Sequence, residues 1–430
     1  MTARSVVWGW SGMGPRAPED TLVSYWGALG EGAEGLAIPV RLTADHVPVC
    51  CPDATLARTT GDPREVATLT SEQLRTLDAG ALFRAAGSGG PSPWRGNPRK
   101  RDWLHHPSLH EVLLQFAGRT RFLLRLHAAK AQAEDLARGV VAETERFGLG
   151  PLCLFAGDPA PLAVLRNLDR KTTITRVQPP LAAVRGVAER LPPRRLLLDD
   201  PLKNGAVDRM HWTLGFSRPN RDTAISLNGA LSFTLQDGGS YSGAAAVTSF
   251  PVRGDFDAQV SFRVHRPAQG TTFELAAIQI DPGPHRVSNA KLDRKSVHLT
   301  FDVHGAPPYA SSERDEDDGF RIGWNNGPAI LQVQGGLPQS LNAYNKYGRD
   351  VGDGSGANPA GRLRLTRCGD IFNAYYSDKH NPNWVLSGSV AVPPLAREVY
   401  LRLGAKHWPK GGRKPPPNRV DWTDFKLYQR

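Results

Sequence analysis

The sequence predicts a chain of two domains, an α/β barrel over residues 1–203 and an antiparallel β-sandwich of the jelly-roll type over residues 206–430. Three observations lead to this division. The chain has 430 residues, which is more than one ordinary hydrophobic core accommodates. Apolar strand-like runs alternate with helical periods up to about residue 200, which is typical of a parallel barrel. Beyond residue 206 the helical periods end, and short alternating runs between Gly, Pro, Asn and Asp turns begin.

The first domain is predicted to alternate strands with helices from its start. Strands are expected at residues 6–10, 36–42, 47–51, 121–126, 151–155, 172–177 and 195–198. Helices are expected at residues 21–31, 131–147, 162–168 and 181–191. Seven strands are one fewer than a complete barrel of ~250 residues contains. The sequence therefore predicts a barrel that is either incomplete or closed by a further segment, such as residues 211–216.

The second domain is predicted to consist of short strands. Eleven alternating runs lie at residues 230–235, 256–264, 273–280, 297–303, 319–324, 330–333, 362–366, 371–376, 384–392, 399–403 and 420–427. So many short strands with turn residues between them favour two packed antiparallel sheets.

The composition narrows the class of protein. Apolar residues make up 40% of the chain and charged residues 22%, as in globular proteins. No apolar run reaches the ~20 residues of a membrane span, and residues 1–8 lack a secretory signal core, so we expect a cytoplasmic protein.

The net charge of +11 is spread along the chain, with one basic loop around residues 406–419. We interpret this loop as solvated and expect no specific nucleic-acid partner, because stacking and groove-reading features are missing.

Several short motifs follow one another between residues 6 and 78. They are Ala17-Pro18-Glu19-Asp20-Thr21, then GLAIPVRLT at 35–43, VPVCCPD at 47–53 and LARTT at 56–60. This run resembles the opening of the glycerophosphodiester phosphodiesterase family, whose P-E-N-T motif corresponds to residues 18–21. The stretch PSLHEVL at 107–113 continues the resemblance. The resemblance implies a (β/α)₈ barrel that hydrolyses glycerol phosphodiesters with a divalent metal and two histidines.

The positions that carry the family's chemistry hold other residues in this chain. The family's first strand ends in His-Arg-Gly, where this chain has Trp10, Ser11 and Gly12. The two carboxylates of the second strand are replaced by Ala37 and Pro39, and the second histidine by Pro52. A further glutamate of the family aligns with Arg125.

These replacements remove the groups that the family's reaction requires. Magnesium and calcium need hard oxygen ligands, so a site that loses three carboxylates cannot hold either ion. Neither an indole nor a proline transfers protons near neutral pH. The sequence therefore predicts no metal or other cofactor, and a barrel that kept its framework while losing the parent reaction.

Five polar residues remain as candidates for ligand binding in the barrel: Glu19, Arg41, Asp53, Arg125 and His127. Ligands of such barrels bind at the carboxyl ends of the strands, where Arg41, Asp53 and Arg125 are expected together with Trp10. Arg176 is a further polar candidate in the barrel. Arginines without a metal suit an anionic small molecule. A cap or turn role is the alternative for Glu19 and Asp53, and a packing role is the alternative for His127.

The second domain has its own resemblance and candidates. The stretches RGDFD at 253–257, GRLRLTR at 361–367 and VDWTDFKL at 420–427 resemble concanavalin A-like lectin and glucanase sandwiches. Glu274 and Asp281 are seven residues apart and fall on opposite faces of a strand, which argues against a glycosidase pair. The acidic residues 315–318, Asp350 and Asp353 are interpreted as solvated turns rather than a calcium site. Aromatic residues could form a sugar-stacking surface: Trp324, Tyr344, Tyr347, Tyr375, Tyr376 and Trp384.

Three functions are compatible with these observations. The first is a non-catalytic relative of the phosphodiesterases whose sandwich binds a glycan or another protein. The second is an active phosphodiester hydrolase that uses rearranged residues. The third is a structural or assembly protein in which both domains serve as interaction surfaces. The oligomeric state does not follow from the sequence, and fold alone does not decide among the three.

Overall fold

The chain forms two compact units in its computed structural model, with the boundary between them after Leu191. We call residues before this boundary the N-terminal unit and those after it the C-terminal unit. The structure describes residues 6–84, 104–149, 153–168, 194–203, 205–216, 223–235, 242–265, 271–278, 296–303, 319–325, 360–378, 382–391, 398–407 and 417–430.

The N-terminal unit is an α/β structure built on a mainly parallel sheet. Its described strands are β1 (Trp8–Trp10), β2 (Gly35–Leu42), β3 (Pro48–Cys50), β4 (Arg121–Leu126) and β5 (Cys153–Gly157). Its helices are α1 (Leu22–Gly30), α2 (Ser71–Arg75), α3 (Leu109–Phe116), α4 (Ala133–Arg146) and α5 (Pro159–Leu168). Four strands pair in parallel in the order β1-β2-β4-β5, and β3 pairs with β2 in the antiparallel direction. The α/β fold class predicted from the sequence is confirmed.

The two faces of this sheet differ because side chains alternate along each strand. On the outer face Leu36, Ile38 and Val40 are fully buried. Helix α1 packs closely against this face, since a Cβ atom added at Gly9 of β1 would lie 2.7 Å from Cβ of Ala28. We call the opposite face, on which Ala37 lies, the inner face. It carries a small apolar cluster at its centre: Ala37, Leu123 and Ala156, with Trp8, Trp10 and Leu154 packed against them.

Two helices begin with reciprocal caps that the sequence encodes locally. Ser108 accepts a hydrogen bond from the backbone N–H of Glu111, and the Glu111 side chain accepts one from the backbone of Ser108. Thr70 and Gln73 form the same arrangement at α2. Such capping boxes satisfy donors that a helix start leaves unpaired. The capping box of α3 fixes the start of this helix directly after the segment that contains His106.

Three sequence predictions for the barrel are wrong in detail. Residues 47–51 do contain a strand, but β3 forms a hairpin with β2 instead of joining the parallel sheet. Only five residues separate Leu42 from Pro48, whereas a parallel connection needs a dozen or more. The segments at 195–198 and 211–216 are strands of the C-terminal unit and do not close a barrel. The predicted elements at 172–177 and 181–191 lie outside the described residues.

The C-terminal unit consists of two antiparallel sheets. The described part of the first sheet contains β7 (Trp212–Phe216), β10 (Ser242–Thr248), β11 (Val252–Arg253), β13 (Thr271–Ile278), β14 (Ser296–Val303), β15 (Gly319–Asn325) and β19 (Glu398–His407). The second contains β6 (Arg195–Asp200), β8 (Thr223–Leu227), β9 (Leu231–Leu235), β12 (Phe256–His265), β16 (Ala360–Cys368), β17 (Ile371–Asp378), β18 (Val385–Ala391) and β20 (Asn418–Gln429).

Aromatic side chains join these two sheets into a sandwich. Phe273 of β13 packs against Phe262 of β12, with ring centroids 4.7 Å apart, and against Trp422 of β20 at 5.9 Å. Trp212 of β7 meets Phe425 of β20 at 4.9 Å. Large aromatic rings dominate the burial in such interiors. The predicted antiparallel sandwich is therefore confirmed.

Sequence patterns found most of the sandwich strands but missed some. The missed strands include β8 and β10, and the sequence of β10, SGAAAVT, shows why. Its small residues have low strand propensity, yet Ala244 and Ala246 are buried where the strand pairs with β7 and β19. The predicted strand at 330–333 lies outside the described residues. Across the described part of the chain, no helix has the length and apolar character that crossing a membrane requires.

Candidate functional site

The candidate site lies toward the carboxyl ends of β2 and β4 on the inner face of the parallel sheet. Arg125 of β4 pairs in register with Pro39 of β2. Because side chains alternate along β2, Arg41 lies on the same face as Pro39 and is two residues nearer the end of the strand. His127 follows β4 directly, and its backbone N–H donates to the carbonyl of Val40 at 2.9 Å. We call Arg41, Arg125 and His127 the arginine site.

Arg125 stacks on Trp10. Its guanidinium carbon lies 4.3 Å from the centroid of the indole ring, which is a cation–π contact. Burial lowers the pKa of Arg125, Arg41 lowers it further, and Asp20 opposes both. Trp10 stands where the family resemblance expects a histidine, and Arg125 stands where it expects a glutamate. Together they form a guanidinium stacked on an indole ring.

Arg41 and His127 add to the positive potential around this stack. Arg41 donates through Nη2 to the carbonyl of Pro52 at 3.2 Å, while its buried Nε finds no hydrogen-bond partner among the described residues. Burial lowers the pKa of His127, and the nearby Arg125 and Arg41 lower it further. Asp158 opposes this shift, with its Oδ1 3.4 Å from Nδ1 of His127. Nearby positive charges disfavour the charged form of a basic group, so both arginines act to keep the His127 ring neutral.

The two acidic candidates, Glu19 and Asp53, are held by an arginine that the sequence analysis did not select. Arg58 donates from Nε to Oδ2 of Asp53 at 2.7 Å and from Nη1 to Oε1 of Glu19. Burial acts against its charge, but both carboxylates together raise the pKa of Arg58. Both carboxylates therefore have a protein cation as partner.

Asp20 is a further functional candidate that the sequence analysis missed. Its side chain is fully buried, and Oδ1 accepts a 2.9 Å hydrogen bond from the hydroxyl of Tyr25. Burial raises the pKa of Asp20 to about 7, and neighbouring Glu19 adds to the rise. Ser11 and Arg125 act in the opposite direction. The available signal was the change from the family's P-E-N-T to Pro18-Glu19-Asp20-Thr21, which puts a titratable carboxyl where the family has an amide.

His106 is a second buried titratable group, and its ring lies against the main chain at Asp20. Its Nε2 lies 2.9 Å from the hydroxyl of Thr59. Burial lowers the pKa of His106 to about 4, so its ring is neutral at physiological pH. Cys50, Cys51, Cys153 and Cys368 are free, and burial raises the pKa of Cys51 and Cys153 to about 12. These thiols are inert at neutral pH.

The inner face does not fit a divalent metal ion. Ala37 and Pro39 offer no oxygen ligand, and Arg125 places a guanidinium beside them. Magnesium and calcium require several oxygen ligands at short distance. The described residues contain no group of three or more His, Cys, Asp and Glu side chains that could hold a metal ion. The family's metal chemistry therefore has no support in the residues of this face.

The candidates in the C-terminal unit serve mainly in packing. Tyr375 and Tyr376 are fully buried, so they cannot form a sugar-stacking surface. Trp384 lies beneath the guanidinium of Arg362, at 4.7 Å. Glu274, considered above as half of a glycosidase pair, instead forms a buried ion pair with Arg402 at 2.7 Å.

The remaining candidates of the sequence analysis fall in undescribed parts of the chain. They are Arg176, Asp281, the acidic residues 315–318, Asp350, Asp353, Tyr344, Tyr347 and the side chain of Trp324.

Comparison with known proteins confirms the resemblance of the N-terminal unit. Residues 11–133 match the model of the glycerophosphoryl diester phosphodiesterase family. A curated relative is the probable glycerophosphodiester phosphodiesterase 1 of Mycobacterium tuberculosis (strain ATCC 25618 / H37Rv), 48% identical over 64 residues. This alignment covers 15% of the present chain and 23% of that protein. The chain thus spans about a quarter of the length of this relative.

Solved structures similar to the chain fall into two groups. One is the Oleispira antarctica phosphodiesterase in complex with its product sn-glycerol-3-phosphate, with 24% identity and a TM-score of 0.33. That match covers 40% of the present chain and 64% of the other. The other group comprises lectins, such as the exoplasmic/lumenal domain of VIP36 in its Ca²⁺- and mannose-bound form, with 14% identity and a TM-score of 0.37. It covers 55% of the present chain and 92% of the other.

Proposed function

We propose that the N-terminal unit is a metal-independent, non-hydrolytic anion-binding relative of the phosphodiesterases, and that the C-terminal unit binds a carbohydrate or another protein. The observation that carries the first part is the stack of Arg125 on Trp10 at the carboxyl end of the parallel sheet. A permanent cation stands there in place of a metal ligand, so a negatively charged ligand needs no bound metal.

The charges around the arginine site support an anionic ligand. Burial lowers the pKa of His127, and the charges of Arg125 and Arg41 lower it further, which supports an accumulation of positive charge at this point. The nearby acids Glu19 and Asp53 are paired with Arg58. A phosphate group would supply the missing negative charge and accept hydrogen bonds from both guanidinium groups. The buried Nε of Arg41 is a donor suited to this role.

Phosphomonoesters are the ligand class that this chemistry fits best. Their phosphate group carries more charge than that of a diester and can accept bonds from two arginines at once. The relative from Oleispira antarctica is described in complex with its product sn-glycerol-3-phosphate, which makes that compound the natural probe.

Hydrolysis has little support from the described residues of the inner face. General acid–base catalysis requires a titratable group within hydrogen-bond reach of the substrate. The pKa of Asp20 is about 7 and the pKa of His106 is about 4. Both residues, however, are almost completely buried. His127 stands at the site without a second histidine, and its partner is Asp158. The unit can therefore hold an anion without the proton transfers that would cleave it.

The binding experiment is a calorimetric titration of the full-length protein with sn-glycerol 3-phosphate in the presence of EDTA. We expect binding by the wild type and at least a tenfold weaker association for Arg125→Met, because the stacked cation is lost. Arg138→Met is the matched control, since Arg138 is an exposed arginine of helix α4 that pairs with Glu134. It should bind like the wild type. Binding that appears only when magnesium or calcium is added would contradict the proposal.

The second experiment measures turnover of a chromogenic phosphodiester with magnesium or calcium. We expect no hydrolysis above the buffer rate. Metal-dependent turnover that Asp53→Asn abolishes would favour the active hydrolase instead.

The proposal for the C-terminal unit rests on its two-sheet fold, which hosts many functions. A glycan array probed with the full-length protein tests it. Binding to a defined glycan would support the carbohydrate alternative, and silence across the array would favour a protein partner.

A further inference from the structure

Three polar side chains form a row across the carboxyl end of the parallel sheet. Val40 of β2 pairs in register with Leu126 of β4, and the N–H of His127 continues this ladder to the carbonyl of Val40 at 2.9 Å. The N–H of Asp158 donates in the same way to the carbonyl of Leu126, also at 2.9 Å. Arg41, His127 and Asp158 therefore lie side by side on three neighbouring strand ends, which are about 4.8 Å apart.

Asp158 holds the imidazole ring of His127 from the side of β5. Its Oδ1 lies 3.4 Å from Nδ1 of the ring, and its Oδ2 accepts a 3.1 Å hydrogen bond from the N–H of Ala128. Gly157 lets β5 approach this closely, because a Cβ atom at Gly157 would lie 2.1 Å from the carbonyl oxygen of Leu126. Both oxygens of the carboxylate are thus engaged, and the carboxylate fixes the orientation of the ring.

The partner of Nδ1 decides which nitrogen of the His127 ring carries the proton. An ionised carboxylate can only accept hydrogen bonds, so the hydrogen lies on Nδ1 of the neutral ring. Nε2 is then a hydrogen-bond acceptor, and the described residues provide no donor for it. Burial lowers the pKa of His127, and the charges of Arg125 and Arg41 act in the same direction, which favours this neutral form.

The arginine site therefore offers a ligand two groups of donors and one acceptor. Arg41 and Arg125 present N–H groups, which the oxygens of a phosphate group accept. A phosphomonoester is a dianion above its second pKa of about 6, so its phosphate group has no hydrogen to donate to Nε2 of His127. The His127 side chain is only 20% exposed, and an acceptor left unpaired in such a place weakens binding. A hydroxyl group of the ligand would supply the missing donor.

We propose that His127 determines the specificity of the arginine site: its Nε2 accepts a hydrogen bond from a ligand hydroxyl, so the site prefers phosphomonoesters of polyols and sugars to simple alkyl phosphates. This inference rests on the proposed anion-binding function and names its class of ligand. Asp158 acts through His127 and is a positioning residue.

The test compares two probes that have the same charge and the same three-carbon skeleton, sn-glycerol 3-phosphate and n-propyl phosphate. The full-length protein is titrated with each in a calorimeter at pH 8 with EDTA. We expect the wild type to bind the glycerol ester about tenfold more tightly, which is the size of one net hydrogen bond. His127→Phe keeps a ring but loses the acceptor, so it should bind both probes with nearly equal affinity.

His110→Phe is the matched control. His110 also pairs with a carboxylate, that of Glu143 at 2.8 Å, but it lies on helix α3. Its ring packs against Phe147, with centroids 5.4 Å apart, so a phenyl ring suits this position. The control should retain the tenfold preference of the wild type.

Asp158→Asn tests the positioning role. The amide oxygen can keep the bond from Ala128, and the amide N–H then faces Nδ1 of His127 and moves the ring proton to Nε2. We expect this variant to lose the preference for the glycerol ester. A purely electrostatic role of Asp158 would instead strengthen the binding of both probes equally and leave their ratio unchanged.

Nuclear magnetic resonance of the wild type with ¹⁵N-labelled histidine rings decides the question without a variant. We expect one ring that is protonated on Nδ1 and whose unprotonated Nε2 resonance shifts with sn-glycerol 3-phosphate but not with propyl phosphate. A responding ring that carries its proton on Nε2, or equal shifts with the two probes, would overturn the inference even if His127→Phe folds poorly.

The possible results separate the two proposals. Equal affinities of the wild type for the two probes, or a preference that survives in His127→Phe, would overturn this inference and leave anion binding intact. Absence of binding of both probes would overturn the proposed function and this inference together.

Discussion

Asp257 in the C-terminal unit and Asp20 in the N-terminal unit are both fully buried aspartates, and their surroundings shift their pKa values in opposite directions. Burial acts to raise the pKa of Asp257, but Arg364, Arg194 and Arg430 overcome it and lower that pKa to about 2. Arg364 donates three hydrogen bonds to this carboxylate, at 2.7 to 3.1 Å. The carboxylate therefore remains ionised well into the acid range.

Asp20 has no such direct cationic partner. Its hydrogen bond comes from the neutral hydroxyl of Tyr25, and Arg125 acts on it without a described hydrogen bond. Burial then dominates, and the pKa rises to about 7. The comparison shows that burial alone does not decide the charge of a carboxyl group. A bidentate arginine makes a permanent ion pair, whereas a hydroxyl leaves a group that titrates near neutrality.

The strongest way to test this contrast is to break the permanent pair. We expect Arg364→Met to reduce the free energy of unfolding by about 3–5 kcal/mol, because it leaves a buried carboxylate without its main partner. Denaturant unfolding of the full-length protein measures the change. Arg253→Met is the control, since Arg253 forms an exposed pair with Glu398 and should contribute less than about 1 kcal/mol. Equal effects of the two substitutions would contradict the contrast.

The substitution Asp20→Asn should change the free energy of unfolding by a similar amount but in the opposite direction, and the change should depend on pH. The folded pKa of Asp20 lies above the unfolded value of 3.8, so its stabilising contribution is complete below pH 3.8 and is lost as pH rises to about 7. The variant should therefore be more stable than the wild type by up to about 4 kcal/mol above pH 7, and the two should converge in acid. Urea midpoints between pH 4 and pH 8 measure this difference. A difference that stays constant across the range would refute the assignment.

His106 should show the reverse pH dependence. Its folded pKa is lowered from 6.5 to about 4, so its contribution is present above pH 6.5 and is lost as pH falls toward 4. We expect the wild type to lose about 3 kcal/mol more than His106→Gln between pH 7 and pH 4. Glutamine keeps a hydrogen-bonding side chain opposite Thr59 without the titration. Urea midpoints over the same pH range measure this difference. Equal losses of stability in acid in both proteins would exclude His106 as the cause.

Local sequence patterns predicted those parts of the fold that depend on neighbouring residues. The helix around residues 133–146 and the strand Arg121–Leu126 follow from the spacing of apolar residues, and both are confirmed. The hairpin of β2 and β3 could also have been predicted, because five residues cannot make a parallel crossover. The assignment of Arg195–Asp200 could not, since its partner β20 lies more than 200 residues further along the chain.

The candidate site was predictable in its residues but not in its pairings. The replacements at Trp10 and Arg125 are visible in the sequence, whereas their cation–π contact depends on strand register. The bridge from Arg58 to Glu19 spans 39 residues and has no local signal. The buried state of Asp20 likewise requires the three-dimensional packing of α1, β3 and the segment before α3.

We propose that a protein cation, and not a metal ion, receives the ligand of the N-terminal unit. Crystals of the full-length protein soaked separately in selenate and in manganese, each located by anomalous scattering, test it most directly. We predict a selenate peak within hydrogen-bond distance of the guanidinium groups of Arg41 and Arg125, and no manganese peak on the inner face. A manganese ion bound beside Ala37, Pro39 and Arg125, with selenate absent from the arginines, would contradict the account.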